Sequence, residues 1–169
     1  MSFHIDCSRA KWKPPTQANV SSNILSASIF CARDDSPTGD TLLFPNGEYN
    51  IVDAQVTLDH SRNGKKVNYE VEENVVFLQT GSNFIVFDNP TLFRGQTKVA
   101  DRLYVGDSVL GFVYPDWWGA TSSGIVTNQF NSCVNNSNNQ PIKLLKGTYS
   151  LGSVDVTIDV PLIFSDGAK

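Results

Sequence analysis

From Thr41 onward, apolar, aromatic and β-branched residues recur in short runs separated by Asn, Gly and Asp. That pattern predicts strands, with candidates at Leu42–Phe44, Tyr49–Ile51, Gln55–Leu58, Lys66–Glu70, Val75–Leu78, Phe84–Phe87, Leu92–Arg94 and Leu103–Val105. The connections are too short for helical crossovers, which excludes a doubly wound α/β fold and leaves a sandwich, a barrel or a strand solenoid. Upstream the period changes. Ile24, Leu25, Ala27, Ser28, Ile29, Cys31 and Ala32 fit a short helix over residues 21–33, with Ser21 or Ser22 as its N-cap. A second helix is predicted over Thr127–Asn136, where Phe130, Cys133 and Val134 share helical spacing behind the capping candidate Thr127. The first twenty residues, with Trp12 between two lysines and then Pro14 and Pro15, read as an extended arm. The expected class is therefore all-β with one or two short helices.

The chain also resembles itself at an offset of 100 residues. Leu42–Ile51 (LLFPNGEYNI) aligns with Ile142–Leu151 (IKLLKGTYSL), matching Gly47 to Gly147 and Tyr49 to Tyr149. Without a gap, Val56–Asp59 (VTLD) then meets Val156–Asp159 (VTID), and upstream Phe30 meets Phe130. The predicted unit of helix, strand, G-x-Y turn and strand thus occurs twice. A reversal between extended runs favours a positive φ that glycine adopts freely. The tyrosine two residues on shares the glycine's strand face and is expected to cover its bare backbone.

Composition narrows the partners. Thirteen Lys and Arg against 17 Asp and Glu give a net charge of −4 over 169 residues. Such a chain has no field to draw polyanions, so nucleic acid is not an expected partner. Cys7, Cys31 and Cys133 are odd in number, widely spaced and outside any CxxC or His cluster, which predicts free, partly buried thiols in a reducing compartment. The first twenty residues lack the apolar stretch of a secretory signal, and no apolar run approaches the roughly 20 residues that cross a bilayer. The expectation is synthesis in the cytoplasm and no membrane insertion.

One octapeptide is specific. Val113–Ala120 reads VYPDWWGA and is followed by a short helix and the second G-x-Y strand. This resembles the lead-in of the pectate-lyase-like right-handed β-helix proteins, where Pro-Asp/Glu-Trp-Trp/Phe-Gly-Ala precedes a helix and a Pro-x-Gly-x-Tyr strand. Bacteriophage tailspikes and carbohydrate-active enzymes often carry it. The stretch from Leu42 to Phe112, including NVVFL from Asn74 and VGDSVLGF from Val105, is similar to the small strand-rich module upstream of that lead-in. The match departs after Ala120: SGIVTNQ from Ser123 replaces an acidic Gly-Asp-Gly-x-x-Asp-Asp-Thr run, which leaves the helix cap to Thr127 and removes support for ion binding.

The resemblance implies three segments: an arm at 1–20, a strand-rich adaptor at 21–113, and the first turn of a right-handed parallel β-helix at 114–169. Because one turn leaves an open apolar end, it further implies an N-terminal portion of a longer protein or a subunit whose end is covered by copies of itself. The implied role is a structural virion component, the N-terminal attachment part of a homotrimeric phage tailspike or tail fibre. Residues 1–20 would meet the tail or baseplate, and host polysaccharide would bind further along. The alternative is the leading fragment of a carbohydrate-active enzyme or a glycan-binding module.

Candidate chemistry is sparse. Family depolymerase sites lie turns beyond this segment, so no enzyme activity is expected. Asp53, Asp59, Asp155, Asp159 and Asp166 fall in or beside predicted turns, where Asp hydrogen-bonds its own backbone. His4 and His60 stand alone and read as surface residues, no phosphate-cradling glycine motif occurs, and no cofactor is implied. The residues singled out are structural: Gly47, Tyr49, Tyr114, Pro115, Asp116, Trp117, Trp118, Gly119, Gly147 and Tyr149. On an extended segment neighbouring side chains face opposite ways. One tryptophan is then expected inside and the other outside, against another subunit, the upstream module or a sugar ring.

Overall fold

A computed structural model describes residues 4–6, 20–32, 41–52, 54–106, 111–121 and 124–169, with side chains from residue 21 onward. Most of the predicted arm, including Trp12, Pro14, Pro15 and Cys7, lies outside the described residues, as does Asp53.

Three strands open the strand-rich region: β2 (Thr41–Phe44), β3 (Gly47–Ile51) and β4 (Val56–Leu58). The next three are β7 (Asn68–Val71), β8 (Val75–Gln79) and β9 (Ile85–Phe87), and β10 (Thr91–Phe93) and β11 (Leu103–Val105) follow. Pairing is parallel and repeats in order: β2 with β7 and β7 with β10, β3 with β8, β4 with β9 and β9 with β11. Ala100 completes the middle ladder by a parallel bridge to Phe77. The chain therefore visits the same three ladders three times. Parallel pairing between strands this short removes the antiparallel sandwich and the up-and-down barrel.

Register sets the interior. Val56, Ile85 and Leu103 are directly paired, and so are Leu58, Phe87 and Val105, which aligns buried side chains in columns. The alternation along each strand sends the residue between them outward. Phe87 sits where columns meet, with the rings of Phe44, Tyr69, Phe77 and Phe93 at centroid distances of 6.1, 6.2, 6.0 and 5.1 Å. Edge-to-face packing of this kind adds to the burial of each ring, itself worth about 1.5–3 kcal/mol.

The predicted strand over Lys66–Glu70 divides. Ser61–Arg62 (β5) and Lys65–Lys66 (β6) form a small antiparallel hairpin, and the ladder strand starts only at Asn68. Asn63 and Gly64 at its tip have φ of 51° and 75°, and an Asn-Gly pair suits such a turn. A strand from the arm, β1 (His4–Asp6), adds parallel to β2 and covers the edge of its ladder.

Helix α1 (Val20–Cys31) packs against β2, β3 and β4 and covers one end of the stack with Ile24, Ala27 and Cys31. It begins before either predicted cap, so Ser21 and Ser22 are helical residues and neither serves as N-cap. After the stack, Val113 bridges Ile142 of β12 (Ile142–Leu144), and β12 pairs parallel with β13 (Leu162–Phe164). Between them lies α2 (Thr127–Asn136). Its N-cap is Val126, so Thr127 does not cap it; the Thr127 hydroxyl donates to the Leu151 carbonyl at 2.6 Å and ties the helix to the following segment. The aligned Phe30 and Phe130 both lie in helices, but Phe130 is buried and Phe30 is exposed. Buried residues from both halves of the chain form one cluster.

Candidate functional site

The octapeptide lies where the strand stack meets α2. Pro115 fixes φ at the first position of a 3-10 helix over Pro115–Trp118, and Gly119 closes it in the left-handed region at φ 89°, its amide bonding the Asp116 carbonyl at 2.8 Å. A side chain at Gly119 would also press on Lys98.

This turn corrects the expectation for the tryptophan pair. Neither ring faces outward: Trp117 is 3% and Trp118 1% exposed. In a 3-10 helix successive side chains are about 120° apart and not opposite, so both can reach the same interior. The Trp117 indole donates to the Gly95 carbonyl at 3.0 Å and the Trp118 indole to the Leu103 carbonyl at 2.9 Å. The Trp117 carbonyl in turn accepts from the amides of Val99 and Ala100 at 2.8 and 3.1 Å. The pair thus fastens the turn to the last pass of the stack. Tyr114 joins it, with its ring 5.5 Å from Trp117 and its hydroxyl taking a bond from the Gln96 amide at 3.2 Å.

Both G-x-Y turns have the geometry their glycines imply, with φ of 150° at Gly47 and 143° at Gly147. Each tyrosine closes its corner by reaching four residues back. Tyr49 donates to the Pro45 carbonyl at 2.8 Å, and Tyr149 accepts from the Leu145 amide at 3.3 Å. Tyr149 also donates to the Asp116 carboxylate, at 3.1 and 3.3 Å from its two oxygens. The octapeptide and the second G-x-Y turn, separate in sequence, therefore meet in space. Gly47 and Tyr49 belong to the other end of the stack, beneath α1.

Burial dominates the electrostatics. Desolvation raises the Asp116 carboxyl, partly offset by the Tyr149 bond and by its own backbone. The Tyr149 hydroxyl is pushed up to about 12 by desolvation and then by the neighbouring Asp116. Burial followed by the Asp116 charge pushes the Cys133 thiol far up, which removes its thiolate and its nucleophilicity. Asp59, Asp155, Asp159 and Asp166 are exposed, and no cluster of three His, Cys, Asp or Glu able to hold a metal occurs among the described residues.

Two further features escape the sequence. Ser28, fully buried in α1, hydrogen-bonds His60 Nδ1 at 2.9 Å and the Tyr69 hydroxyl at 2.6 Å, pinning the helix to the stack. His60 is thus half-buried and partnered, not a bare surface residue. Desolvation pushes the Tyr69 hydroxyl to about 12. A serine on the apolar stripe of α1 is the one signal for this contact, and its partners lie 32 and 41 residues away. The second feature is a cleft of about 430 Å³ beside the first ladder, whose lining includes Leu92, Phe93, Phe112 and Tyr114 together with Asn68 and Glu70.

No protein family, curated protein or solved structure is found to match this chain.

Proposed function

We propose that the chain is a structural part, not a catalytic one: the N-terminal adaptor of a phage tailspike or tail fibre, in which three ladders visited in turn lead into a right-handed parallel β-helix. In this reading the adaptor assembles as a homotrimer in the virion and joins a receptor- or polysaccharide-binding β-helix to the tail. The observation that carries it is the use made of the octapeptide. Its two indoles, its tyrosine and its aspartate are all spent on fastening one strand unit to the next. A second support is the repetition of helix, strand and G-x-Y corner in the same order on both sides of that joint. Exposed Val154, Ile163 and Phe164 supply apolar surface for contact with copies or with further chain.

Light scattering across a concentration series tests the assembly. A stable trimer is expected, and a monomer at every concentration sinks the trimeric adaptor.

One observation favours the glycan-binding alternative. The cleft pairs aromatic residues with Asn68 and Glu70, a lining suited to a sugar ring. It does not depend on an exposed tryptophan. Trp117 reaches the cleft wall, so titrating a glycan panel against tryptophan fluorescence tests it; saturable quenching supports the module, and a flat signal throughout rejects it.

A further inference from the structure

The third ladder of the strand-rich region is covered on both sides. β9 lies between β4 and β11, α1 packs on β4, and the Trp118 indole occupies the Leu103 carbonyl of β11. The second unit repeats this plan in part. Its first ladder gains a second pass where β13 pairs with β12, as β7 does with β2. Its middle ladder gains one where Ala168 bridges Gly147, as Val75 pairs with Gly47. Among the described residues, no strand pairs with residues 156–158, which align with β4.

We propose that residues 154–160 are an acceptor edge for one further parallel strand, supplied in trans by an extended peptide segment with two large apolar side chains two positions apart.

Two independent observations carry this. The first is in the backbone: among the described residues, none makes a hydrogen bond to the main chain of residues 152–160. A run of unpaired amides and carbonyls is a template for strand addition. The second is in the side chains. Val154, Val156, Ile158 and Val160 alternate with Asp155, Thr157 and Asp159, the pattern of a strand with one apolar face. The three acidic and hydroxyl residues are exposed, whereas Val156, Ile158 and Val160 lie half-buried against the core and Val154 is 58% exposed. The apolar row is thus turned inward and left half covered.

The first repeat shows what completes such a row. At the aligned positions Val56 and Leu58 are wholly buried, paired with Ile85 and Phe87 of β9. The Val56 amide donates to the Phe84 carbonyl at 3.0 Å, and the Leu58 carbonyl accepts from the Asp88 amide at 3.2 Å. The Val156 amide and the Ile158 carbonyl lack these bonds. The occupant therefore needs a carbonyl, two bulky apolar residues flanking a third, and an amide in that order, running parallel to residues 156–158. This partner chemistry goes beyond the adaptor reading and stands apart from it. A trimer can form with the edge vacant, and a monomer can still take up a strand.

Hydrogen exchange read by mass on the full chain tests it, with a synthetic peptide of residues 83–89 (NFIVFDN) as the probe. The control peptide carries Ile85→Ser and Phe87→Ser. Amides within 152–160 should exchange freely in the chain alone, and saturating probe should slow those at 156–158 about tenfold or more, with no slowing by the control. Absent protection, equal protection by both peptides, or protection confined to other strands overturns the proposal. So does slow exchange over 152–160 without peptide at a concentration where light scattering reports an oligomer, because a second copy then fills the edge.

Discussion

The segments 42–59 and 142–159 carry the same pattern and end differently. Leu42 and Ile142 are both fully buried, and both tyrosines close their corners. Beyond the tyrosine they part. Val56 and Leu58 form β4 and are wholly buried, whereas Val156 and Ile158 are half-exposed and belong to no strand. The tetrapeptides differ only by Leu58 against Ile158. Propensity cannot explain this, because isoleucine is the better strand former. What differs is the neighbour: β9 lies parallel beside β4, and among the described residues no strand pairs with residues 156–158. A strand here is a property of the ladder and not of the segment.

The largest effect that sharpens this contrast comes from the covered unit. Phe87→Ala should cost about 3–5 kcal/mol in urea unfolding, since four rings line the cavity it leaves. Ile158→Ala, on the uncovered side, should cost under about 1 kcal/mol, because its side chain is half in water already. Equal losses at the two positions break the comparison.

Next comes the joint. Trp118→Phe leaves the buried Leu103 carbonyl without its donor, at a cost of about 1–3 kcal/mol. Near-ultraviolet circular dichroism should weaken as the second unit loosens from the first. Smaller again is the tyrosine pair: Tyr49→Phe should cost about 0.5–1.5 kcal/mol for its bond to the Pro45 carbonyl. Tyr149→Phe should cost more than Tyr49→Phe, because it removes both the donor to the Asp116 carboxylate and the acceptor for the Leu145 amide.

The smallest effect is at Asp116, and its sign depends on pH. Its folded carboxyl titrates above the ordinary 3.8, so the folded state binds the proton more tightly than the unfolded chain. Stability from this group is complete below 3.8 and is lost as pH rises through the folded value. Asp116→Asn keeps an acceptor for Tyr149 and should be slightly more stable than the native chain at neutral pH. That advantage should vanish in acid, as thermal melts at several pH values will show.

Much of the architecture is readable from residue runs, and seven of the predicted strands match within two residues at either end. The eighth, Lys66–Glu70, splits at Val67, where the hairpin strand ends and the Val67 amide bonds the His60 carbonyl before the ladder strand begins. Alternation reveals faces but not partners, so parallel pairing waits for the structure. The tryptophan pair is the instructive miss. Pro115 at a helix start and Gly119 just past its end are the punctuation of a helical turn, and they mark this one. Reading the pair as extended overlooks both. The bond from Ser28 to His60 leaves only one local trace, a serine on an apolar helix stripe, because its partner comes from a distant pass of the chain.

The spacing of the ladder partners sets the order in which such a chain can assemble. Thr41 pairs with Asn68, Gly47 with Val75 and Val56 with Ile85, so from β2 onward successive passes close over fewer than 30 residues, and only the arm strand, His4 against Thr41, reaches further among the described strands. Loop-closure entropy grows slowly with length, and closures of similar size cost nearly the same. No pairing spans the whole chain, and every pass finds its template in the one synthesised just before it. Folding can therefore keep pace with translation, each turn docking as it leaves the ribosome.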